Sequence, residues 1–235
     1  MKILSVIIAR GGSRGVPRKN VADLGGIPLV AHIIKSALGI GISSDLVLST
    51  EDEEIASVGK EYGAEVPFLR PVELAGDDIT SLPVVQHAVH QMEKRKGYTY
   101  DIINYLQPTA PLCRSEDIEK CLQKLIENQN AESVVTITES PVHPFKMKRL
   151  IDEDRVINFI DQGFEDMRPR QSLPKVYKRT GAVYASRRSV VMDKNTLVGE
   201  PCLGVPVPKE TAVDIDTPED LELVRLLYKK LNSNN

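Results

Sequence analysis

A chain of 235 residues with a net charge of −3 suits one large domain, and it has no overall positive field that would attract nucleic acid. No apolar run approaches the roughly 20 residues of a membrane span, and the opening apolar stretch leads into charged residues rather than a signal-peptide cleavage site. The three cysteines are widely spaced and form no C-x-x-C pair, which indicates reduced thiols in a cytoplasmic protein rather than a disulfide framework or a zinc site.

The first predicted element is a buried strand over residues 3–9, and a basic, glycine-rich loop follows it. Residues 10–19, RGGSRGVPRK, contain four cationic side chains and three glycines but no acid. Glycines let backbone N–H groups crowd around an anion, and neighbouring cations neutralise it. The loop fits neither the P-loop pattern nor G-x-G-x-x-G. It therefore predicts a polyphosphate site of another kind, and a solvated basic turn is the alternative.

Short apolar runs then alternate with segments of helical period. Thr50 with Glu53 predicts a capping box, and Gly63 marks the end of that helix. The near-continuous apolar character of the first strand is typical of a strand covered on both faces. These patterns predict an α/β fold, a Rossmann-like, mainly parallel sheet flanked by helices. The predicted strands lie at 45–49, 102–106 and 133–137, and the predicted helices near 28–38, 52–62, 81–95 and 115–128.

A turn with two prolines follows the strand predicted at 102–106. Ligands of open α/β sheets gather beyond the carboxyl ends of the strands. The Gln107 amide and the Thr109 hydroxyl are therefore candidates for hydrogen bonds to a polar ligand. A purely structural loop is the alternative.

From 139 to 180 the alternation stops, and the segment is rich in proline, arginine and lysine without a long helical period. We interpret it as an insertion that serves as a dimerisation arm, with a mobile surface lid as the alternative. The α/β domain then comprises residues 1–138 and 181–235. A cationic cluster in the insertion can clamp a carboxylate or phosphate, or form a solvated basic edge. Its members are Arg168, Arg170, Lys175, Lys178 and Arg179.

After residue 181 the α/β pattern returns, with strands predicted near 181–186 and 203–207. The final helix is predicted to begin at Thr217-Pro218, an N-cap followed by proline at the first helical position. Just before it, Asp214 and Asp216 are two residues apart, so in an extended segment both carboxylates project to the same face. Such a pair suits Mg²⁺, which takes one or two carboxylates and completes its shell with water and phosphate. In the alternative, Asp216 assists the Thr217 cap and Asp214 is solvated.

Four motifs in order resemble those of the acylneuraminate cytidylyltransferase family, which makes CMP-sialic acids and other CMP-nonulosonic acids. Residues 8–20 resemble its phosphate-binding signature, I-x-A-R-G-G-S-K-G-x-x-x-K-N, and residues 69–75 its second motif. Residues 107–112 resemble its Q-P-T-S-P-L-R, and residues 214–217 its D-I-D-T. The resemblance implies a nucleotide-diphospho-sugar transferase type of fold and a homodimer.

By that resemblance, the chain activates a sialic-, legionaminic- or pseudaminic-type acid with CTP, with Mg²⁺ as cofactor. The catalytic residues would be Arg10 and Lys19, together with Asp214 and Asp216, which would hold the metal. The nucleotide would be bound by Ala9, Arg10, Gly11, Gly12, Ser13, Arg14, Lys19, Asn20, Arg70 and Ser81. The sugar would be bound by Gln107, Thr109, Tyr184, Lys146 and Arg170, the last two reaching a partner's site from the arm.

The chain departs from the family pattern in three places. Cys113 replaces an arginine, Ala110 replaces a serine, and Leu197 and Val198 stand where sialic acid enzymes carry an aromatic pair. Loss of aromatic walls changes the surface that packs on the sugar, so a legionaminic- or pseudaminic-type acid rivals N-acetylneuraminic acid. An eight-carbon ulosonic acid is the nearest other substrate.

Two other functions remain open. One is a glycosyltransferase that uses Asp214 and Asp216 as its metal pair with a nucleotide sugar. The other is a non-catalytic relative that binds CTP, and the departures at Ala110 and Cys113 suggest it. The first would release no pyrophosphate from CTP, and the second would bind CTP without turnover.

Overall fold

A mixed six-stranded sheet organises the chain in the computed structural model, which describes residues 1–42 and 45–233. The sheet strands are β1 (Ile3–Ile8), β4 (Asp45–Ser49), β5 (Ile102–Leu106), β6 (Ser133–Glu139), β9 (Tyr177–Arg187) and β10 (Cys202–Pro206). Two small ribbons lie outside it, β2 (Asp23–Leu24) with β3 (Ile27–Pro28) and β7 (Lys148–Ile151) with β8 (Arg155–Asn158). The helices are α1 (Leu29–Leu38), α2 (Glu53–Glu61), α3 (Ser81–Lys96), α4 (Ser115–Glu127), α5 (Arg188–Met192) and α6 (Pro218–Asn232).

The strand order β10-β6-β9-β5-β1-β4 confirms the predicted mainly parallel, helix-flanked α/β sheet. Strand β1 is buried on both faces, as its continuous apolar run predicts. Ile3 and Ile7 pack in one core cluster with α1 and α4, while Leu4 and Val6 pack in another with α3. Because successive side chains of a strand point to opposite faces, these two clusters are the two layers that cover the sheet.

Strand β9 is the exception, since it runs antiparallel to both of its neighbours, β5 and β6. Its pairing with β6 also shifts: Val135 lies opposite Tyr184, but Ile137 lies opposite Arg179. The extra residues of β9 form a bulge that contains Gly181, whose φ of +81° favours glycine. A Cβ at Gly181 would lie 3.1 Å from Gln107 Oε1, so the bulge brings the β9 backbone against the carboxyl end of β5.

The predicted capping box at Thr50 and Glu53 is wrong. Helix α2 begins at Glu53, and its N-cap is Asp52, whose Oδ1 accepts a hydrogen bond from the Ile55 N–H at 3.0 Å. The Thr50 hydroxyl instead accepts from the Asp52 N–H at 3.1 Å. A carboxylate is favoured at a helix N-terminus by the helix dipole, and Arg18 pairs with this one. The predicted end of this helix at Gly63 is close to the observed one, because α2 ends at Glu61 and Gly63 follows it with a φ of +95°.

The segment that leaves the main sheet spans residues 140–176, because Glu139 at the end of β6 still pairs with Tyr177 of β9. It contains the β7–β8 ribbon, in which Leu150 and Val156 form an exposed cross-strand pair. Its use as a dimerisation arm stays a prediction.

Helix α6 begins where the sequence predicts. Thr217 and Asp220 form a capping box, and Pro218 is the first helical residue. Leu221 and Val224 of this helix pack in a third cluster beside the loop after β1. The chain segment just before α6 is therefore held next to that loop. In the described part of the chain, we find no helix with the length and apolar character needed to cross a bilayer.

Candidate active site

The glycine-rich loop after β1 lies directly against residues 214–217 from the far end of the chain. A Cβ at Gly15 would come within 1.8 Å of the Asp216 carbonyl oxygen, so only glycine permits this approach. Lys19 joins the two segments as well. Its Nζ donates to the Ile215 carbonyl and lies 3.8 Å from Asp216 Oδ1. The predicted phosphate loop and the predicted metal carboxylates thus share one site.

Most of the predicted residues line one groove at the carboxyl ends of β1 and β5, the edge at which open α/β sheets bind ligands. Tyr184 lines the adjoining part of the groove, beyond Gln107. We call that adjoining part the sugar end and the rest the nucleotide end. The predicted residues that line the nucleotide end are Arg10, Gly12, Ser13, Lys19, Asn20, Arg70, Ser81, Gln107, Thr109, Asp214 and Asp216.

Three of these residues carry a buried polar atom with no hydrogen-bond partner in the described structure. The atoms are Asn20 Oδ1, Arg70 Nε and Asp214 Oδ1. Buried polar groups are nearly always paired, and leaving one unpaired costs about 1–3 kcal/mol. The Asn20 side chain is otherwise fixed, because its Nδ2 donates to the Arg10 carbonyl at 2.9 Å. An acceptor, a donor and a carboxylate oxygen of groove-lining residues therefore lack the partner that a polar ligand would supply.

Two acids that sequence reasoning missed pair with groups that are predicted to bind the nucleotide. Asp77 pairs with Arg10 at 2.7 Å and with Arg14 at 2.7 Å. Glu51 accepts from the Gly11 N–H at 2.7 Å and from the Arg70 guanidinium. Both acids therefore compete with the nucleotide for these groups. The only sequence signal for Asp77 is its place in an acidic pair shortly after the second motif.

The Asp214 and Asp216 side chains share the groove, with Ile215 buried between them. Burial raises the pKa of Asp214, while the Thr109 hydroxyl opposes that rise and the charge of Asp216 adds to it. The helix cap uses the backbone N–H of Asp216, which donates to Asp220 Oδ2 at 3.0 Å. The Asp216 carboxylate therefore remains available to the groove.

These carboxylates fit a magnesium ion. Asp214 Oδ1 is an unpartnered buried oxygen, and the Asp216 side chain is 78% exposed. No three His, Cys, Asp or Glu side chains of the described residues group as a metal site. Mg²⁺ needs only one or two protein carboxylates when substrate phosphates and water supply the other oxygens.

Two stacked tyrosines join the nucleotide end to the sugar end. Tyr105 and Tyr184 are opposite each other on β5 and β9, and their ring centroids are 5.5 Å apart at an interplanar angle of 25°. The Tyr105 hydroxyl donates to Ser81 Oγ at 3.0 Å, and burial raises the pKa of Tyr105 to about 12. Sequence reasoning missed Tyr105. Its position two residues before Gln107, on the same face of β5, is the signal that points to it.

Two of the departures from the family pattern lie outside the groove. Ala110 and Cys113 are buried in the core cluster that contains α1 and α4. Burial raises the pKa of Cys113 to about 12, so its thiol is not ionised at neutral pH. These two departures therefore no longer support the non-catalytic alternative. The third departure does lie in the groove, since Leu197 and Val198 line the sugar end beside Tyr184.

Two predicted sugar ligands lie away from the groove of their own chain. Lys146 donates to the Asp166 carbonyl, and Arg170 donates to the Ser140 carbonyl at 2.8 Å. Their action in a partner's site stays a prediction. Three predicted nucleotide ligands do not line the nucleotide end: Ala9 is buried, the Gly11 N–H donates to Glu51, and Arg14 pairs with Asp77. Their contact with a nucleotide stays a prediction.

Comparison with known proteins shows which family shares this sequence. A family model described as Cytidylyltransferase matches residues 4–233. The pseudaminic acid cytidylyltransferase of Campylobacter jejuni is 34% identical over 229 residues, 97% of each chain. The CMP-N,N'-diacetyllegionaminic acid synthase of Legionella pneumophila is 29% identical over 230 residues, again 97% of each. A solved CMP:2-keto-3-deoxy-manno-octonic acid synthetase complexed with CTP shares the fold, with a TM-score of 0.71, 20% identity and coverage of 98% of this chain and 100% of that one. The chain therefore belongs to the cytidylyltransferase family.

Proposed function

We propose that this chain transfers CMP from CTP to a nonulosonic acid and releases pyrophosphate, with Mg²⁺ as the cofactor. One observation carries the proposal: the basic glycine loop and the Asp214–Asp216 carboxylates line the same groove. Cations suit a triphosphate, and paired carboxylates suit the metal that accompanies it. Family membership favours this reaction over the glycosyltransferase alternative.

In the proposed reaction, the C2 hydroxyl of the sugar acid attacks the α-phosphorus of CTP. A bond forms from the sugar oxygen to phosphorus, the bond to pyrophosphate breaks, and the hydroxyl proton passes to solvent water. Arg10 and the loop N–H groups would hold the phosphates, and Lys19 would stabilise the negative charge that leaves. Asp214 and Asp216 would hold Mg²⁺, which supplies further positive charge when bound. Positioning and charge neutralisation therefore supply the catalysis.

Recognition of the nucleotide would use the unpaired groups at the other side of the groove. Asn20 Oδ1 is a free acceptor and Arg70 Nε a free donor, and both are buried. A cytosine edge offers an amino donor and carbonyl or ring-nitrogen acceptors, so it matches this pair. Ser81, beside Tyr105, would contact the base or the ribose.

We propose a pseudaminic-type acid as the substrate, with the legionaminic type second. Leu197 and Val198 give the sugar end an aliphatic wall where sialic acid enzymes carry aromatic rings. Acetamido and methyl groups of a dideoxy sugar would pack on such a wall. The identity of 34% to a pseudaminic acid cytidylyltransferase, against 29% and 31% to two legionaminic acid synthases, supports this order. Gln107, Thr109 and Tyr184 would bind the sugar's polar groups.

To test this, we would incubate the protein with CTP, Mg²⁺ and a panel of sialic, legionaminic, pseudaminic and eight-carbon ulosonic acids. Mass spectrometry would detect CMP-sugar, and a coupled assay would detect pyrophosphate. We expect product with pseudaminic acid at the highest kcat/KM. Protein that binds CTP but forms no CMP-sugar with any acid would overturn the proposed function.

The arm of residues 140–176 would form the dimer and complete a partner's site in the cytoplasmic protein. Its ribbon exposes Leu150 and Val156, and apolar pairs of this kind are typical of interfaces. Light scattering would give the oligomeric state. Mixing an Asp214→Ala chain with a Lys146→Ala/Arg170→Ala chain should restore about a quarter of the normal rate, since half the dimers are mixed and each has one complete site. A mixture as inactive as its parents would contradict this role for the arm.

A further inference from the structure

Arg179 stands at the point where the two lobes of the sugar end meet. One lobe lies on the side of Gly181 and Asp214, and the other on the side of Ser81 and Leu197. Both lobes share Gln107, Tyr184 and Arg179. Among the described residues, Arg179 is the cation that lines both, because Lys178 and Lys209 line the first lobe alone.

The Arg179 guanidinium has no acidic partner. Its central carbon lies 6.0 Å from the centroid of the Tyr184 ring, and within the described ranges the side chain makes no salt bridge or hydrogen bond. Two other arginines of the same cationic cluster are paired: Arg168 with Asp166 at 2.7 Å, and Arg170 with Glu139 at 3.7 Å. Arg179 therefore offers its full charge to whatever enters the sugar end.

Arg179 and Asp214 act on the same tyrosine. Burial raises the pKa of Tyr184, the charge of Arg179 opposes the rise, and the charge of Asp214 adds to it. A ligand that packs on Tyr184 therefore lies between a cation and the proposed metal carboxylates. The β9 bulge produces this arrangement, because Arg179 and Tyr184 flank it.

The acid that the proposed function requires carries one carboxylate, on the carbon next to its reacting hydroxyl. Asp214 and Asp216 repel that carboxylate, so it needs a cation of its own. A guanidinium is planar and binds a carboxylate through two parallel hydrogen bonds, which fixes orientation as well as position. We propose that Arg179 binds the C1 carboxylate of the nonulosonic acid and thereby orients the C2 hydroxyl toward the α-phosphorus of CTP. This inference rests on the proposed function.

The test compares Arg179→Met and Arg179→Lys with Arg95→Met, a matched loss of an exposed arginine in the last turn of α3, away from the groove. For Arg179→Met, we expect KM for the acid to rise about 10- to 100-fold, because a charge-assisted hydrogen-bonded pair is lost. The Kd for CTP, measured by calorimetry, should stay within about twofold, because Arg179 does not line the nucleotide end. Arg179→Lys should have a KM between those of Arg179→Met and the wild type, and Arg95→Met should resemble the wild type.

A second readout identifies the group that is bound. The wild type should use the C1 amide of the sugar far less well than the acid, whereas Arg179→Met should treat the two nearly alike. If Arg179→Met matches Arg95→Met, or still prefers the acid as strongly as the wild type does, the inference is wrong. A wild type that activates no acid at all would instead be a failure of the proposed function.

Discussion

Asp77 binds two arginines of the nucleotide loop at once: its Oδ1 lies 2.7 Å from Arg10 Nη1, and its Oδ2 lies 2.7 Å from Arg14 Nε. The Arg14 hydrogen bond, together with the charges of both arginines, holds the pKa of Asp77 below its usual range. Asp77 is therefore ionised at neutral pH. A triphosphate that reaches these guanidinium groups competes with a carboxylate already bound to them.

Replacing Asp77 by asparagine should strengthen CTP binding. The change removes one negative charge beside a polyanion and keeps the size of the side chain. We expect the Kd for CTP to fall by roughly two- to fivefold at low salt, and the gain to shrink at high salt because the charges are solvent-exposed. Calorimetric titration at two ionic strengths measures both effects. Asp78→Asn is the control, since Asp78 is fully exposed and lies 3.8 Å from Arg14. Weaker CTP binding by Asp77→Asn would show that Asp77 chiefly orients the arginines.

Gly15→Ala should damage the site, whereas Gly12→Ala should leave the fold intact. A Cβ at Gly15 would collide with the Asp216 carbonyl oxygen, but a Cβ at Gly12 meets nothing within 4 Å. The loop and the Asp216 segment would have to separate in the first variant. We expect a lower melting temperature and at least about a tenfold loss of kcat/KM for Gly15→Ala. Equal melting temperatures for the two variants would contradict the contact.

Asp214→Asn should abolish turnover and stabilise the metal-free protein. The pKa of Asp214 is raised, so its ionised form lowers stability at any pH above that raised value. A neutral asparagine removes this effect, and we expect the melting temperature in EDTA to rise by about 2–4 °C near neutral pH. The gain should vanish as the pH falls through the raised pKa and Asp214 takes up its proton. Turnover should drop by about 100-fold or more with the loss of a metal ligand. Near-normal kcat in saturating Mg²⁺ would refute the metal assignment.

Asp45→Asn should destabilise the opposite end of the sheet in a pH-dependent way. Burial alone would raise the pKa of Asp45, but hydrogen bonds from Lys96 at 2.6 Å, Tyr98 at 2.6 Å and Tyr100 at 2.8 Å hold it below the usual range. The stability it contributes is therefore fully present above the ordinary carboxyl pKa of about 4 and is lost as the pH falls through the lowered value. Urea unfolding should show a loss of about 2–3 kcal/mol at neutral pH. A difference that does not shrink in acid would contradict this.

The sequence correctly predicted the elements that depend on interactions between residues close together in the chain. Thr217, Pro218 and Asp220 form the cap of α6 among themselves, and the apolar run of β1 fixes its burial on both faces. The motif residues were also brought into one groove as expected. This follows because loops at the carboxyl ends of neighbouring strands must lie at the same edge of the sheet.

What the sequence could not predict depends on distant partners. The apolar pattern of β9 is the same for either strand direction, so its antiparallel course depends on pairing with β5 and β6. The N-cap of α2 is Asp52 rather than the predicted Thr50. Arg18, which is 34 residues away in the sequence, donates a hydrogen bond to the Asp52 carboxylate. Asp77 was not predicted as a site residue, and Arg179 was named only as one member of the cationic cluster, since only the folded chain places the two in the groove.

The most direct measurement follows the two ends of CTP separately. Wild-type protein would be given pseudaminic acid, Mg²⁺ and CTP labelled either at the α-phosphate or at the γ-phosphate. The proposed function predicts that the α label appears in CMP-sugar and the γ label in pyrophosphate, in equal amounts, and that Asp214→Ala forms neither. Label in free phosphate, or pyrophosphate formed without CMP-sugar, would contradict transfer of CMP to the acid.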